Sequence, residues 1–222
     1  MGKNVNNILK GICTDLGYVK KNDAFLKPIT YNVWSTIRFS TSTRHTKGHC
    51  FVAPFIGLHF CSVEKILCEI LKKKPECQST IFDHIGYLMP DSWWKTWEFL
   101  ENEPNSPKLI DDLKEAIQKY SMVYYERFPD IESLISYIAD EGLSRCNYQY
   151  PFLERIPVLY YLANNKQFGR YFIDRALKKN SNISFIFTDE YISNYMKLPD
   201  NPEDIKVRVF PQHLPSGQPE FR

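Results

Sequence analysis

The sequence contains no apolar run that approaches the roughly 20 residues a helix needs to span a bilayer. Its first 18 residues also lack the continuous apolar core of a secretory signal, because polar residues interrupt them every few positions. Disorder is not indicated either, since 43% of the 222 residues are hydrophobic and 15% are aromatic. We therefore expect a soluble, globular, cytoplasmic protein that has no membrane partner.

An excess of charge of one sign is absent as well. The chain has 28 Lys and Arg residues against 26 Asp and Glu residues, which leaves a formal net charge of +2. Proteins dedicated to nucleic acids usually carry a broad basic surface that neutralises phosphates. A protein partner is therefore the expected one, and a nucleic acid bound by a local basic patch is a less favoured alternative.

The short motifs that mark many enzymes are also missing. The sequence has no GxxxxGK[ST], GxGxxG, GxSxG or HExxH motif, and so no signature of a phosphate loop, a dinucleotide site, a hydrolase elbow or a zincin. Asp111, Asp112 and Glu115 lie within one helical turn, but they oppose an apolar stripe and predict a solvated helix face. We predict no catalytic residue and no cofactor. A hydrolase or nuclease with a dispersed His/Asp/Glu site is the alternative.

The six cysteines are not spaced as a structural zinc site requires. Such a site usually needs two close ligand pairs such as CxxC, and the sequence has none, although residues 45–84 are rich in histidine and cysteine. A disulfide framework is not expected in a long chain without an export signal. The cysteines are therefore predicted to be reduced, and no metal ligand is assigned.

The first half of the chain combines a helix with strands. Apolar residues recur at helical spacing over residues 5–16, which predicts an amphipathic helix. Three extended stretches follow, at 18–29, 33–40 and 50–60, and they predict an antiparallel meander. Pro54 cannot donate to a strand ladder, so the third stretch is expected to be an edge strand or to carry a bulge.

The second half is mainly helical in its pattern. Apolar spacing typical of helices occurs here at 108–120, 131–140, 152–163 and 168–179, and in the first half it occurs also at 62–74. Residues 184–187 and 207–210 are candidate short strands, and a proline-rich tail follows. The predicted fold class is α+β, with an antiparallel sheet from the N-terminal half packed against helices. Residues 1–104 supply the helix and the sheet, and residues 105–222 supply the mainly helical region with its C-terminal strands and tail, in one compact domain.

Three tryptophans, Trp93, Trp94 and Trp97, stand close together in the chain. A short helix capped by Asp91 or Ser92 is predicted to carry them. On such a helix, Trp93 and Trp97 share a face while Trp94 points away from it. Large aromatic side chains are highly buried on average, whereas exposed ones are frequent at interfaces. We therefore keep all three as candidate binding residues, with Trp94 as the expected surface anchor.

A second candidate binding surface lies on the middle strand. The odd-numbered residues of 33–40 face one way, and Trp34 and Arg38 face the other, which is typical of a sheet with one accessible face. Trp34 and Arg38 are therefore candidate binding residues. They also support the nucleic-acid alternative, because a stacking aromatic beside an arginine suits bases and phosphates.

Six segments, taken in order, carry a resemblance to a known group of proteins. They are LGYVKKNDAFLK, WSTIRFSTS, FVAPFIGLHF, HIGYLMPDSWWKTWEF, YYERFPDIESLISYI and VLYYLANNKQFGRYFIDRAL. The series resembles bacterial proteins that contain a domain of unknown function, some of which look like immunity proteins paired with polymorphic toxins. The resemblance implies a non-catalytic cytoplasmic binding protein, such as an immunity or defence factor that recognises a protein partner.

Overall fold

The computed structural model describes residues 3–43, 46–74, 78–141, 150–179 and 183–205. It confirms the predicted α+β class, since an antiparallel sheet of six strands is formed by the N-terminal half and most of the remaining chain is helical. Within the described ranges, no helix is both long enough and apolar enough to cross a bilayer. The candidate strand and the tail beyond residue 205 lie outside the described residues.

The elements follow one another in a simple order. The strands are β1 (Val19–Lys21), β2 (Ala24–Pro28), β3 (Val33–Ser42), β4 (His49–Phe60), β5 (Ile81–His84) and β6 (Trp97–Leu100). The helices are α1 (Lys3–Asp15), α2 (Cys61–Leu71), α3 (Pro107–Arg127), α4 (Ile131–Glu141), α5 (Tyr150–Leu153), α6 (Ile156–Leu162), α7 (Lys166–Lys179) and α8 (Asp189–Met196). Two 3₁₀ turns lie at Ile85–Leu88 and Pro202–Asp204.

Strand β4 is the centre of the sheet, which corrects the prediction of an edge strand or a bulge at Pro54. Residues 51–60 of the strand pair with the whole of β3 without interruption. On its other side, β6 pairs with residues 49–52 and β5 pairs with residues 55–58. Pro54 therefore falls in the gap between two short partner strands, where its missing N–H removes no ladder hydrogen bond.

One face of the sheet is buried beneath α1 and α3. The predicted stripe of α1 packs into the core, with Val5 and Cys13 fully buried, and burial raises the pKa of the Cys13 thiol to about 12. Helix α3 is joined to the same face by a hydrogen bond from the Tyr124 hydroxyl to Asp83 of β5. Alternate residues of β3 and β4, such as Ile37 and Ile56, fill the space between. On the opposite face Thr36, Gly57 and His59 are also buried, whereas Arg38, Phe55 and Phe82 are partly exposed.

Two local predictions are wrong. Residues 92–96 form no helix, and Trp97 begins strand β6 instead. The reason is the alternation of WEFL, in which Trp97 and Phe99 are buried and Glu98 is exposed, as the period of a strand requires. Residues 184–187 form a turn before α8 rather than a strand. Short apolar runs of this kind do not distinguish a strand from a buried turn.

Candidate binding surface

The open face of the sheet carries a row of aromatic and basic side chains. Arg38 on β3 lies directly across from Phe55 on β4, and Phe55 lies across from His84 on β5. Trp34, four residues before Arg38 on β3, lies across from His59 on the same side of the sheet. We call this surface, together with the side chains that lie above it, the aromatic face. Its members are Arg38, Phe55, Phe82 and His84 of the sheet, then Tyr87 and Trp94, whose rings contact His84, and the adjoining Trp93. Trp34 lies on the same side of β3, but the buried Thr36 separates it from Arg38.

Trp94 is fixed on the aromatic face by ring contacts. It stacks on His84 with 3.9 Å between ring centroids and 8° between ring planes. Phe55 meets Trp94 edge to face at 5.9 Å, and Tyr87 does so at 6.3 Å. Aromatic pairs of this geometry each contribute about 0.5–1.5 kcal/mol beyond the area that they bury. Trp94 is thus held in one orientation, although 46% of the residue is exposed.

The two exposed tryptophans are carried by an irregular segment, residues 89–96, which begins with a turn and which we call the strap. It follows the 3₁₀ turn and contains Ser92 in the left-handed region, at φ 47°. The strap lies against Gly86 so closely that a Cβ atom there would be 1.9 Å from the Trp93 carbonyl oxygen. Trp93 itself is 76% exposed. The strap can therefore pack against residue 86 in this position only because that residue is glycine.

His84 forms the base of this arrangement and is only 2% exposed. Its Nδ1 accepts a hydrogen bond of 3.1 Å from the Gly86 N–H, which places the ring proton on Nε2. Burial lowers the pKa of His84, and the backbone of Lys95 opposes this shift. The imidazole is therefore neutral at pH 7 and stacks on Trp94 as an uncharged ring.

Charges of both signs border the aromatic face. The Arg38 guanidinium lies 3.6 Å from the Asp23 carboxylate, measured from Nη1 to Oδ2. On the β6 side, His49 Nδ1 lies 2.6 Å from Glu98 Oε1, and both residues are on the open side of their strands. The surface is consequently apolar at its centre and electrically mixed at its margin.

Trp97 does not belong to this surface, in contrast to the predicted grouping of the three tryptophans. It is only 2% exposed and lies on the opposite, buried face of the sheet. Its indole Nε1–H donates a hydrogen bond of 2.6 Å to Asp112 on α3. Asp112, predicted as part of a solvated helix face, is exposed as expected and in addition fixes this indole.

Replacing Trp97 with phenylalanine is expected to destabilise the fold by about 1–3 kcal/mol, because a charge-assisted hydrogen bond and part of a buried ring are lost. Urea unfolding followed by circular dichroism measures this change. The isosteric control, Asp112→Asn, keeps a weaker acceptor and should have a smaller effect. A Trp97→Phe variant with wild-type stability would contradict the assignment of Trp97 to the core.

A second polar cluster was not anticipated from the sequence. Arg155 and Glu64 form a bidentate ion pair, with Nε–Oε1 and Nη2–Oε2 distances of 2.7 Å each. The hydroxyl of Thr80 donates a hydrogen bond of 2.8 Å to Glu64 Oε1. Arg155 Nη1 also donates one of 3.0 Å to Glu154 Oε1. Glu64 and Arg155 are 3% and 1% exposed. The only sequence signal is that Glu64 falls on the apolar side of α2, beside Val63.

The buried ion pair is closed to substrates. Both Glu64 oxygens already accept hydrogen bonds, and the guanidinium is surrounded by Glu64 and Glu154. Burial would lower the pKa of Arg155, but the two carboxylates raise it above its ordinary value. Burial lowers the pKa of the nearby His59, whose Nδ1 is 2.6 Å from the Gln78 carbonyl oxygen. The cluster therefore joins α2 to the helical half rather than presenting a reactive group.

A cavity of about 450 Å³ lies beside this cluster. Among the residues that the structure describes, its lining includes two carboxylates, Glu154 and Glu190, and Lys73, but no histidine. The described ranges also contain no group of three potential metal ligands. The cavity therefore does not bring carboxylates and a histidine together in its lining, which is the arrangement that would favour the hydrolase alternative.

Comparisons with known proteins identify no relative of this chain. No family model matches the chain, and no curated protein or solved structure is significantly similar to it.

Proposed function

We propose that this chain is a non-catalytic, cytoplasmic binding protein that recognises a protein partner through its aromatic face. In this proposal it acts as an immunity or defence factor does, by covering a functional surface of its partner. The observation that carries the proposal is the pair of exposed aromatic rings, Trp94 at 46% and Tyr87 at 52%, that lies over His84 on one side of the sheet, with the 76% exposed Trp93 next to Trp94 in the chain. Large exposed aromatic groups at one place are typical of protein interaction sites.

The rigidity of the aromatic face supports a role in recognition. Association is opposed by the entropy lost when side chains become ordered, and that loss is smaller for groups already fixed before binding. Trp94 is fixed by His84, Phe55 and Tyr87, and the underlying strands pair continuously. A preformed surface of this kind suits an occluding protein, because it needs no rearrangement to cover its partner.

The charges favour a protein over a nucleic acid. Arg38 is paired with Asp23, and Glu98 occupies the same side of the sheet near His49. Carboxylates at the margin repel phosphates, whereas they complement basic residues on a protein. The net charge of the whole chain is only +2, which gives phosphates little overall attraction to offset this repulsion. The aromatic centre and mixed margin therefore match the usual anatomy of a protein interface.

Photocrosslinking tests this proposal directly. The full chain, with p-benzoylphenylalanine in place of Trp93, is irradiated in cytoplasm of its source, with a nuclease-treated sample in parallel. The matched control places the same group at Tyr171, which is 54% exposed and lies on α7 in the helical half. We expect one stoichiometric protein adduct from position 93, and none from position 171.

Three results would oppose the proposal. Equal adducts from positions 93 and 171 would indicate non-specific contact. An adduct lost after nuclease treatment, with binding that weakens steeply as salt rises, would assign the surface to a nucleic acid. Recovery of no adduct from position 93, when a partner is retained by the unmodified chain, would place the interface elsewhere.

A further inference from the structure

We infer that the strap is a pH-operated latch, which neutral His84 holds closed on the sheet and which opens when His84 binds a proton. The inference concerns the regulation of the aromatic face, and its effect on partner binding rests on the proposed function. The opening itself is a property of the chain alone. It can therefore be measured without any partner.

The hydrogen bonding of His84 makes the closed strap incompatible with the charged ring. Nδ1 accepts the Gly86 N–H, so a proton on Nδ1 would face another donor at about the same 3.1 Å. Nε2 is buried and has no hydrogen bond of good geometry to any residue that the structure describes. The imidazolium therefore has no acceptor at Nδ1 in the closed state, and it must move or expose itself to water.

The surroundings of His84 offer the imidazolium little compensation. Phe55 of β4 and Tyr87 of the 3₁₀ turn meet the ring edge to face, and Trp94 covers it. Lys95 contributes its backbone, and no described carboxylate forms an ion pair with His84. Two interactions favour the charged ring, the backbone of Lys95 and the face of Trp94, which attracts a cation by about 0.5–2 kcal/mol. Burial acts in the opposite direction and is the larger effect.

The direction of the pH effect follows from this geometry. Burial lowers the pKa of His84 in the closed state, whereas an exposed histidine titrates near its ordinary value of about 6.5. The open state therefore binds the proton more readily than the closed state. The contribution of His84 to holding the strap is fully present above about pH 6.5, and it is lost as the pH falls through the lowered pKa.

The strap is well placed to respond to such a change. It contains no helix or strand between the 3₁₀ turn and β6, and its two tryptophans are partly or largely exposed. Its contacts with the rest of the fold include the stack of Trp94 on His84, the ring contacts of Trp94 with Phe55 and Tyr87, and the close packing of its backbone against Gly86. Segments held by few buried contacts open at a lower free energy than the fold as a whole.

Fluorine NMR of the full chain labelled with 5-fluorotryptophan tests the latch. The chain gives four resonances, one for each tryptophan, which single Trp→Phe variants assign. Between about pH 8 and 4.5, the Trp94 resonance should move with an apparent midpoint below about 6.5, and its H₂O/D₂O isotope shift should rise about twofold as the ring becomes exposed. The buried Trp97 resonance should not move, because the core remains folded.

Two variants locate the titrating group. His84→Phe keeps a ring beneath Trp94 but cannot bind a proton, so its Trp94 resonance should stay constant over the same range. His49→Gln removes the other histidine at the margin of the face and should leave the titration unchanged. If His84→Phe does not fold, the wild-type titration, with the Gly86 amide followed in parallel, still decides the question because that amide bonds to His84.

Several outcomes would overturn the latch. A Trp94 resonance that stays constant down to about pH 4.5 would show that His84 does not release the strap in this range. A change that persists in His84→Phe would assign the titration to another group. Movement of Trp94 and Trp97 together would indicate global acid unfolding. None of these results bears on the crosslinking experiment, which is performed at pH 7.5 with the strap closed, so the two proposals fail separately.

Discussion

Replacing Glu64 with leucine lowers the free energy of unfolding by about 3–5 kcal/mol, the usual consequence of leaving a buried charge without its partner. The guanidinium of Arg155 is 1% exposed, and two of its nitrogens lie 2.7 Å from the Glu64 oxygens. Without Glu64 it loses both bonds of the bidentate pair, while the contact to Glu154 and a longer one to Gln78 remain. Arg155→Met has an effect of similar size, because it leaves the Glu64 carboxylate buried.

The double variant Glu64→Leu/Arg155→Met separates the ion pair from its burial. When both charges are removed, neither is left unpaired, and buried pairs replaced in this way often lose little stability. We therefore expect the double variant to be more stable than either single variant. Urea unfolding at pH 7 measures all four proteins. Additive losses in the double variant would contradict the view that the two side chains act as a pair.

Gly86→Ala is expected to displace the strap while the sheet stays folded. The added Cβ would lie 1.9 Å from the Trp93 carbonyl oxygen and 2.7 Å from the Lys95 nitrogen, and both are backbone atoms that cannot rotate away. Overpacking of this kind destabilises a fold by about 1–3 kcal/mol. Trp94 then loses its seat on His84, and the yield of the crosslink from position 93 should fall at least about tenfold, since a preformed anchor is lost.

Gly11→Ala is the matched control for this variant. Gly11 lies in α1, and a Cβ atom there would meet nothing within 4 Å. Alanine is the better helix former, so this control should be slightly more stable than wild type, by about 0.5–1 kcal/mol. The fluorine spectrum of each variant reports the position of Trp94. A Gly86→Ala chain with a wild-type Trp94 resonance and crosslink yield would show that the strap does not depend on Gly86.

Periodicity predicted the elements whose packing is local. The apolar spacing of α1 and the alternation of β3 follow from the geometry of one helix and one strand, so Trp34 and Arg38 were placed on the open face without knowledge of their neighbours. Pro54 indicates an interruption in the ladder of β4, but the kind of interruption depends on where two later strands, β5 and β6, pair with β4. A single sequence does not show that β5 and β6 share one edge of β4 and leave a gap there.

The contacts that define the site arise from tertiary structure and were not predictable in the same way. The stack of Trp94 on His84 joins residues ten positions apart across the 3₁₀ turn, so it depends on a turn geometry that periodicity does not encode. The spacing of Trp93 and Trp97 suits a helix, but sheet pairing with β4 makes Trp97 part of a strand. Glu64 and Arg155 are 91 positions apart, and only the docking of the helical half brings them together.

Calorimetric titration of the crosslinked partner, once identified, tests the central claim most directly, with wild type, Trp94→Ala and Tyr171→Ala compared at pH 7.5. If the aromatic face is the interface, Trp94→Ala weakens the affinity by at least about 30-fold, which is about 2 kcal/mol, while the chain stays folded at this pH. Tyr171→Ala binds as wild type does. Trp94→Ala affinity within about twofold of wild type, or equal weakening by Tyr171→Ala, would contradict the account.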